Sequence, residues 1–208
     1  MSSVTLLTRD NKAQRTRQQL LESAQREIHR VGFQAASLDR ILSHAGVTKG
    51  ALYHHFPSKL ALGHAVVDEW LKHEVTVRFI TPLDDSSDPI TAISQTIIEQ
   101  RQLGVDWLKL GCPLASLAQE MTTLDDGFQS RISDIYRSWR QAISNALVSG
   151  QLNGNVRRDI SPDQSATLIV AAIEGTLLLG KVSRSTDEVS QFGLAMIQYL
   201  QSLRTPNT

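Results

Sequence analysis

Apolar residues recur every three or four positions along most of the chain, which is the spacing of one face of an α-helix. Glycines, prolines and capping residues such as Ser, Thr and Asp mark where these patterns begin and end. The sequence therefore predicts an all-α fold. The predicted helices cover residues 11–31, 37–45, 48–56, 59–80, 88–103, 125–150, 161–181 and 186–203, and another begins at residue 113.

The densest pattern is SLDRILSHAGVTKGALYHHFPSK at residues 37–59. Ser37 is a predicted N-cap for a short helix with one apolar stripe, and Gly46 can adopt the left-handed conformation that closes a helix end. Val47 can fill the angle between two helices, and Thr48 is the predicted cap of the second one. The pattern predicts a helix-turn-helix of about the minimum length that presents a helix to DNA.

The second helix of this motif has two different faces. Leu52 and Phe56 lie on the face that packs inward, whereas the outward face is small, basic and aromatic, which suits a polyanion. Gly50 costs about 1 kcal/mol relative to Ala, so a glycine there needs a reason, such as a phosphate that approaches the backbone closely. The alternative is an ordinary helical hairpin in which Tyr53 and His54 are plain surface residues.

The order of residues is more specific than the geometry. HAGVTKGALYHHFPSKLAL resembles the signature of the TetR family of bacterial transcriptional repressors, and the resemblance covers residues 13–66. Leu60 departs from the family, which usually has an acidic residue there, and this removes a favourable charge from the start of the next helix. The resemblance implies that the first helix braces the reading pair and that this head contacts operator DNA. The expected DNA contacts are Arg15, Arg17, Ser37, Thr48, Lys49, Gly50, Ala51, Tyr53, His54, His55 and Lys59.

Charge is distributed unevenly, although the 208 residues carry no net charge. Residues 9–59 contain nine Lys or Arg and four Asp or Glu, a balance of +5, while residues 60–208 contain twelve and seventeen, a balance of −5. A basic head and an acidic body orient the head towards a phosphate backbone. The alternative is chance clustering of surface charge. With 41% hydrophobic residues, the chain can bury a sizeable core.

Three segments follow from these patterns. They are a flexible N-terminal arm at residues 1–10, a helix-turn-helix DNA-binding domain at 11–57, and a ligand-binding and dimerisation domain at 58–208. A single cysteine excludes an intrachain disulfide and the N-terminus carries no signal segment, so we expect a cytoplasmic protein. The longest apolar run, residues 168–180, is interrupted by Glu174 and is shorter than the ~18–20 residues of a membrane span, so we expect no membrane partner.

The helix predicted over residues 59–80 connects the head to the body. Its predicted buried side carries Leu62, Val66, Trp70 and Val77. The resemblance implies that a small-molecule inducer bound in the body shifts this connector and changes the distance between the two heads of a dimer. Trp70, His73 and Phe79 are candidates for sensing that shift, and the alternative is that each belongs to the core. The expected ligand-binding residues are Trp70, His73, Trp107, Cys112, Met121 and Trp139.

Cys112 lies in the segment GCPLASLAQE, where it is a predicted N-cap with Pro113 at the first helical position. The positive end of a helix dipole lowers the pKa of a thiol and favours the thiolate, so Cys112 is a candidate sensor of electrophiles or oxidants. The alternative is a small buried hydrophobic residue. The segment also resembles one in a branch of the TetR family that includes the reductase repressor that senses reactive electrophiles.

Two helices at the C-terminus are suited to dimerisation. A capping box with proline at the first helical position, residues 161–164, opens a helix that is apolar nearly all round between residues 168 and 179. The last helix is amphipathic, so two copies of the pair would form a four-helix interface. A buried carboxylate is costly, so we expect Glu174 to have a basic partner, in the chain or across the dimer; the alternative is a ligand cavity. The expected interface residues are Leu168, Ala172, Gly175, Leu179, Phe192, Met196 and Tyr199.

Patterns that would support catalysis are missing from the sequence, which has no metal-ligand spacing and no glycine-rich phosphate loop after a strand. We therefore expect no enzymatic activity, no metal and no cofactor. The sequence indicates a repressor that binds a palindromic double-stranded operator as a homodimer and is released by a small-molecule or electrophilic inducer. Two alternatives stay open: a small helical enzyme with a pocket among Trp70, Trp107 and Trp139, and a structural helical dimer that does not bind DNA.

Overall fold

Helices form nearly all the regular structure of the protein in a computed structural model, which describes residues 3–84, 86–100 and 109–206, with side chains for 12–84, 86–99 and 109–206. The helices are α1 (Ser3–Val31), α2 (Leu38–Ala45), α3 (Lys49–His55), α4 (residues 59–80), α5 (Pro89–Gln100), α6 (Pro113–Met121), α7 (Asp126–Leu152), α8 (Pro162–Ser183) and α9 (Thr186–Ser202). The predicted all-α class is confirmed. Within the described ranges the β structure amounts to one isolated antiparallel bridge between Val156 and Arg204.

Most helices start where a capping residue was predicted. The side chain of Ser161 accepts a hydrogen bond from the backbone N–H of Gln164 at 3.4 Å, and Asp88 accepts one from Thr91 at 3.2 Å. These contacts satisfy amides that have no partner within the first helical turn. Both predicted starts, those of α8 and α5, are confirmed.

Helix α1 begins earlier than predicted, at Ser3 rather than at Asn11. Residues 3–10 contain neither glycine nor proline, so nothing in this segment breaks a helix that extends from the strongly periodic part of α1. The predicted start at Asn11 is therefore wrong. The flexibility of the arm at residues 1–10 stays a prediction.

The connector α4 changes its helical winding twice. Residues Val66–Leu71 and Thr76–Ile80 are π-helical, with hydrogen bonds that span five residues instead of four. Each wider turn rotates the positions that follow relative to an α-helix. Leu62 and Val66 are buried as predicted, but Val77 is 51% exposed and Trp70 is partly exposed. After Val66 the buried positions are Val67, Leu71 and Val75.

One compact unit consists of residues Met1–Lys72 together with Ser116–Ile132. Its core includes Phe33, which is buried and packs edge-on against Phe128 with ring centroids 4.9 Å apart. This unit extends beyond the predicted DNA-binding domain at residues 11–57, whose limits as a functional domain stay a prediction.

The other compact unit consists of His73–Ala115 and Ser133–Thr208. Residues of helix α7 belong to both units, and the apolar stripe along one of its faces is buried at every position. The stripe consists of Phe128, Ile132, Ile135, Trp139, Ile143 and Leu147. In the second unit, Arg204 Nη2 lies 2.9 Å from Asp88 Oδ2 and joins the end of the chain to the cap of α5.

Helix α8 is the most apolar helix of the described chain. By length and composition alone it could cross a membrane, but a core helix has the same composition, and 44% of its apolar window is buried. Ala166, Ile169 and Val170 face the core. Several large apolar side chains on α8 are exposed in the single chain. They are Leu168, Leu178, Leu179 and Val182.

Candidate DNA-binding surface and ligand site

Helices α2 and α3 form the predicted helix-turn-helix. The Ser37 hydroxyl accepts from the backbone N–H of Arg40 at 3.4 Å, and the Thr48 hydroxyl accepts from Ala51 at 3.3 Å. Gly46 has a φ of 66° and donates its N–H to the carbonyl of Leu42, which closes α2. All three predicted end signals are therefore confirmed, and local side-chain chemistry fixes where both helices begin and where α2 ends.

The two faces of α3 differ as predicted. Leu52 and Phe56 are buried, while Lys49, Gly50 and His54 are exposed. Tyr53 is 44% exposed and Ala51 is partly exposed. The outward face therefore presents the Lys49 cation and the Tyr53 and His54 rings. It also exposes Gly50 in the first turn of the helix.

Gly50 has no packing reason within the described chain. A Cβ atom placed on it would have only the Thr48 hydroxyl oxygen nearby, at 3.9 Å. Its backbone is helical, so conformation does not demand glycine either. A glycine at this position is therefore best explained by a partner outside the chain that approaches the backbone closely.

Arg17, a predicted DNA contact, is engaged within the head. Its guanidinium makes a bidentate ion pair with Glu69, with Nη1 2.6 Å from Oε2, and its Cζ lies 5.1 Å from the centre of the Phe56 ring. Phe56 is the C-terminal cap of α3. Arg17 therefore joins α1, the end of α3 and the connector, which makes it a residue that positions α3.

Lys59 and His55 are also engaged within the head. Lys59 Nζ donates to the carbonyl of Gln34 at 3.0 Å and lies 5.0 Å from the centre of the Phe33 ring. Burial, with smaller effects of His54 and Arg17, lowers the pKa of His55, so this imidazole is uncharged near neutral pH. Arg15 is exposed and Ser37 is partly exposed.

A buried polar contact, missed by the sequence analysis, ties α1 to α2. The Ser23 hydroxyl donates to the carbonyl of Ile41 at 2.8 Å. One helical turn further along α1, Glu27 is almost fully buried and pairs with Arg30 at 2.8 Å. The Arg30 guanidinium holds the pKa of Glu27 below its ordinary value, and a hydrogen bond from the Ser37 backbone lowers that pKa further. Two polar residues inside the apolar pattern of α1 were the only sequence signal for this contact.

Glu120 provides the second bracing contact that the sequence analysis missed. Its Oε2 accepts from the backbone N–H of Phe33 at 2.7 Å and its Oε1 from that of Gln34 at 2.8 Å. Gly32 precedes them with a φ of 85°, and a Cβ there would lie 2.8 Å from Glu120 Oε2. This carboxylate therefore fixes the turn that leads from α1 to α2.

In the second unit, Cys112, Tyr136 and Glu174 form a half-buried polar cluster. Glu174 Oε1 accepts a hydrogen bond from the Cys112 thiol at 3.3 Å and one from the Tyr136 hydroxyl at 3.0 Å. Within the described residues, Glu174 therefore has a thiol and a hydroxyl as hydrogen-bond partners, and the predicted basic side chain is not among them. Burial raises the pKa of Glu174, and the two hydrogen bonds oppose that shift.

Cys112 is the predicted N-cap of α6, since its sulfur accepts from the backbone N–H of Ala115 at 3.5 Å. Its predicted low pKa is wrong. Burial, followed by the neighbouring Glu174, raises the pKa of the thiol far more than the helix amides lower it. Cys112 is therefore held as a thiol near neutral pH, and the thiolate needed for attack on an electrophile is scarce.

Aromatic rings continue from this cluster. Tyr136 and Trp139 are stacked with ring centroids 6.4 Å apart, and Phe79 lies 4.3 Å from Trp139. Phe79, Trp139 and Ile173 line a small apolar cavity with about 10 Å³ of free space, room for roughly one water molecule. A ligand here would have to displace these side chains.

The remaining candidates for ligand contact differ in their surroundings. Trp70 packs near His29 with ring centroids 6.3 Å apart, His73 is exposed, and Met121 is buried in the first unit. Trp107 lies outside the described residues. The structure therefore brings Cys112 and Trp139 into one neighbourhood, through Tyr136.

The predicted dimer interface is mostly accessible. Leu168 and Leu179 are exposed, and a further four residues are partly exposed. These four are Ala172, Gly175, Phe192 and Tyr199. Met196 differs, because it is only 5% exposed and packs in the core of its own chain. A contribution of Met196 to the dimer interface stays a prediction.

Comparison with known proteins assigns the chain. Residues 20–66 match the family described as "Bacterial regulatory proteins, tetR family", and residues 92–196 match "Tetracyclin repressor-like, C-terminal domain". The repressor DhaR of Mycobacterium sp. is 27% identical, over 85% of this chain and 87% of that one. Reduced NemR of Escherichia coli superposes with a TM-score of 0.78 at 24% identity, covering 91% of this chain and 97% of that one. A regulator from Chloroflexus aurantiacus gives 0.82 at 23%, covering 93% and 98%. The chain belongs to the TetR family of bacterial transcriptional regulators, which bind DNA and are not enzymes.

Proposed function

We propose that this regulator is a repressor that binds a palindromic operator in double-stranded DNA as a homodimer, and that a small molecule bound in its body releases it. The outward face of α3 carries the proposal. Lys49, Tyr53 and His54 are exposed there, and Gly50 leaves the backbone open to an outside partner. A helix of this kind enters the major groove, where side chains reach base edges and phosphates.

The proposed contacts fall into two groups. Direct contacts come from the start of α3 and its surroundings, and the other predicted contacts position α3 through bonds within the head. The direct group is Arg15, Ser37, Thr48, Lys49, Gly50, Ala51, Tyr53 and His54. The positioning group is Arg17, His55 and Lys59. Arg17 contacts Glu69 and Phe56, and Lys59 contacts Gln34 and Phe33. Burial lowers the pKa of His55.

Fluorescence anisotropy with the DNA upstream of the chain's own gene tests this assignment. Lys49→Ala should weaken binding about tenfold and reduce the salt slope by about one, because one phosphate contact is lost. Gly50→Ala should also weaken binding, yet raise the free energy of unfolding by up to about 1 kcal/mol, because alanine favours helix.

The control is Arg158→Ala, which removes one exposed positive charge from a loop of the second unit. It should leave the affinity and the salt slope unchanged. Unaltered operator affinity in a variant that combines Lys49→Ala and Tyr53→Ala would rule out α3 as the recognition helix.

Dimerisation is proposed to use the exposed apolar side of α8. Leu179 is 65% exposed in the single chain and lies near Leu178 and Val182, also exposed. Leu179→Glu should shift the protein from dimer to monomer in sedimentation equilibrium, because a charge is placed in the apolar interface. Leu152→Glu is the matched control, since Leu152 is 76% exposed at the end of α7. Equal effects of the two substitutions would contradict the proposed interface.

A reversible, non-covalent inducer fits the body better than an electrophile that attacks Cys112. The raised pKa of this thiol, caused first by burial, keeps the thiolate scarce. The name of one relative, the repressor DhaR, supports repression as the regulatory outcome. A DNA-bound regulator of this kind acts in the cytoplasm, without a membrane partner and without a cofactor.

A further inference from the structure

The two oxygens of Glu174 have different surroundings. Oε1 accepts hydrogen bonds from both the Cys112 thiol and the Tyr136 hydroxyl. Oε2 is buried and has no hydrogen-bond partner in the part of the chain that the structure describes. A buried polar atom without a partner costs about 1–3 kcal/mol, so its retention calls for an explanation.

The distribution of donors indicates which oxygen carries a proton. An ionised carboxylate shares its negative charge between two equivalent acceptor oxygens. If Glu174 were ionised, about half of its charge would be buried on an oxygen without a hydrogen-bond donor, which is costly. A neutral carboxyl has one carbonyl oxygen, which accepts, and one hydroxyl, which donates. Two donors on Oε1 and none on Oε2 match the neutral form, with the proton on Oε2. Burial, which raises the pKa of Glu174, acts in the same direction.

We propose that the Glu174 Oε2 hydroxyl is the polar anchor of the ligand site and donates a hydrogen bond to a carbonyl oxygen of an uncharged, largely apolar inducer. The proposal rests on the proposed function, because it names the ligand chemistry of that regulator. A carbonyl oxygen supplies the acceptor that Oε2–H lacks, without bringing a charge into the body.

The surroundings of the cluster favour an uncharged ligand. On α8, Ile173 precedes Glu174, Val170 lies about one helical turn before it, and both are buried. The Tyr136 ring, whose hydroxyl donates to Glu174, stacks with the Trp139 ring. The titratable groups that face Glu174 from the start of α6 and from α7 are Cys112 and Tyr136, and both are neutral donors. Burial raises the pKa of each of them, so neither brings a charge to Glu174 near neutral pH.

Isothermal titration calorimetry on the full chain tests the ligand chemistry with two probes of similar size. Acetophenone is an uncharged aromatic ketone, and benzyltrimethylammonium is a cation. Wild type should bind acetophenone more tightly than the cation. Glu174→Gln should change the Kd for acetophenone by less than about threefold, because the amide keeps both a donor and an acceptor, whereas Glu174→Leu should raise it about tenfold or more.

The opposite pattern would overturn the proposal. It fails if wild type binds the cation and not the ketone, or if the Gln variant loses binding as the Leu variant does, since either result assigns an ionised carboxylate. It also fails if the Leu variant binds the ketone as wild type does. Circular dichroism checks that each variant is folded.

A second measurement needs no ligand and does not depend on the Leu variant. The infrared difference spectrum of wild type minus Glu174→Gln near neutral pH should contain the C=O band of a protonated carboxylic acid. Carboxylate bands in its place would overturn the proposal. Binding to the upstream DNA is measured in parallel. If wild type fails to bind DNA, the proposed function fails, while the infrared spectrum still decides the state of Glu174.

Discussion

A carboxylate in each compact unit, Glu120 in the first and Glu174 in the second, accepts two hydrogen bonds, and the two distribute them differently over their oxygens. In the first unit, Glu120 Oε1 accepts from the backbone N–H of Gln34, and Oε2 accepts from that of Phe33. In the second, Cys112 and Tyr136 both donate to one oxygen of Glu174, and the other oxygen is left over.

This difference separates a structural carboxylate from one that is available to a ligand. Glu120 has donors that belong to the backbone and that no rotamer change can withdraw, so its negative charge stabilises the fold. Glu174 is held by side chains on one oxygen alone, and its burial disfavours the charge. Neutralising substitutions should therefore have opposite effects at the two sites.

The largest expected effect is at Glu120. Glu120→Ala should lower the free energy of unfolding by about 2–3 kcal/mol, because two charge-assisted hydrogen bonds are lost and the N–H of the buried Phe33 is left without an acceptor. Urea denaturation followed by circular dichroism measures it. Gln119→Ala, an exposed position on the same helix, should stay within about 0.5 kcal/mol of wild type. A small effect at Glu120 would remove the distinction between the two carboxylates.

Gly32 gives the next largest effect. Gly32→Ala should destabilise the protein by about 1–3 kcal/mol, because its φ of 85° strains an alanine and the new Cβ meets Glu120 at 2.8 Å. Gly154→Ala is the matched control for strain alone, since Gly154 has a φ of 81° and open space around it. The two substitutions should differ, and Glu120→Ala should reduce that difference. Equal losses of stability in the two variants would mean that the Glu120 side chain moves away from the new Cβ atom at position 32.

Local signals made most of the fold predictable from the sequence. The caps Ser37, Thr48 and Ser161 lie within three residues of the amides that they satisfy. The stripe of α7 repeats over many turns, so each position reinforces the next. The outward face of α3 followed from the same periodicity, which is why the exposure of Lys49 was predicted correctly.

The contacts that distinguish the two carboxylates were not predictable because they are remote in sequence. Glu120 and Phe33 are 87 residues apart, and Glu174 is 62 residues from Cys112. No periodicity connects such positions. The error at Val77 has another origin, since the π-helical turns of α4 change the rotation per residue on which the prediction rests. The dipole argument for Cys112 failed because burial outweighs a helix end.

The effect expected at Glu174 has the opposite sign. Glu174→Gln should stabilise the protein, and the gain should grow as the pH rises above the ordinary pKa of a glutamate, by up to about 1.4 kcal/mol for each pH unit over which the folded chain keeps the proton. The folded-state pKa is raised by burial, so in this window the unfolded chain gives up the proton that the folded chain keeps, and wild type loses stability with increasing pH. Glutamine does not titrate, and the groups that face it, Cys112 and Tyr136, stay neutral throughout. Glu99→Gln, at an exposed position on α5, is the matched control and should show no such trend. A Gln variant less stable than wild type at every pH would mean that the charge of Glu174 is compensated, and the contrast with Glu120 would then disappear.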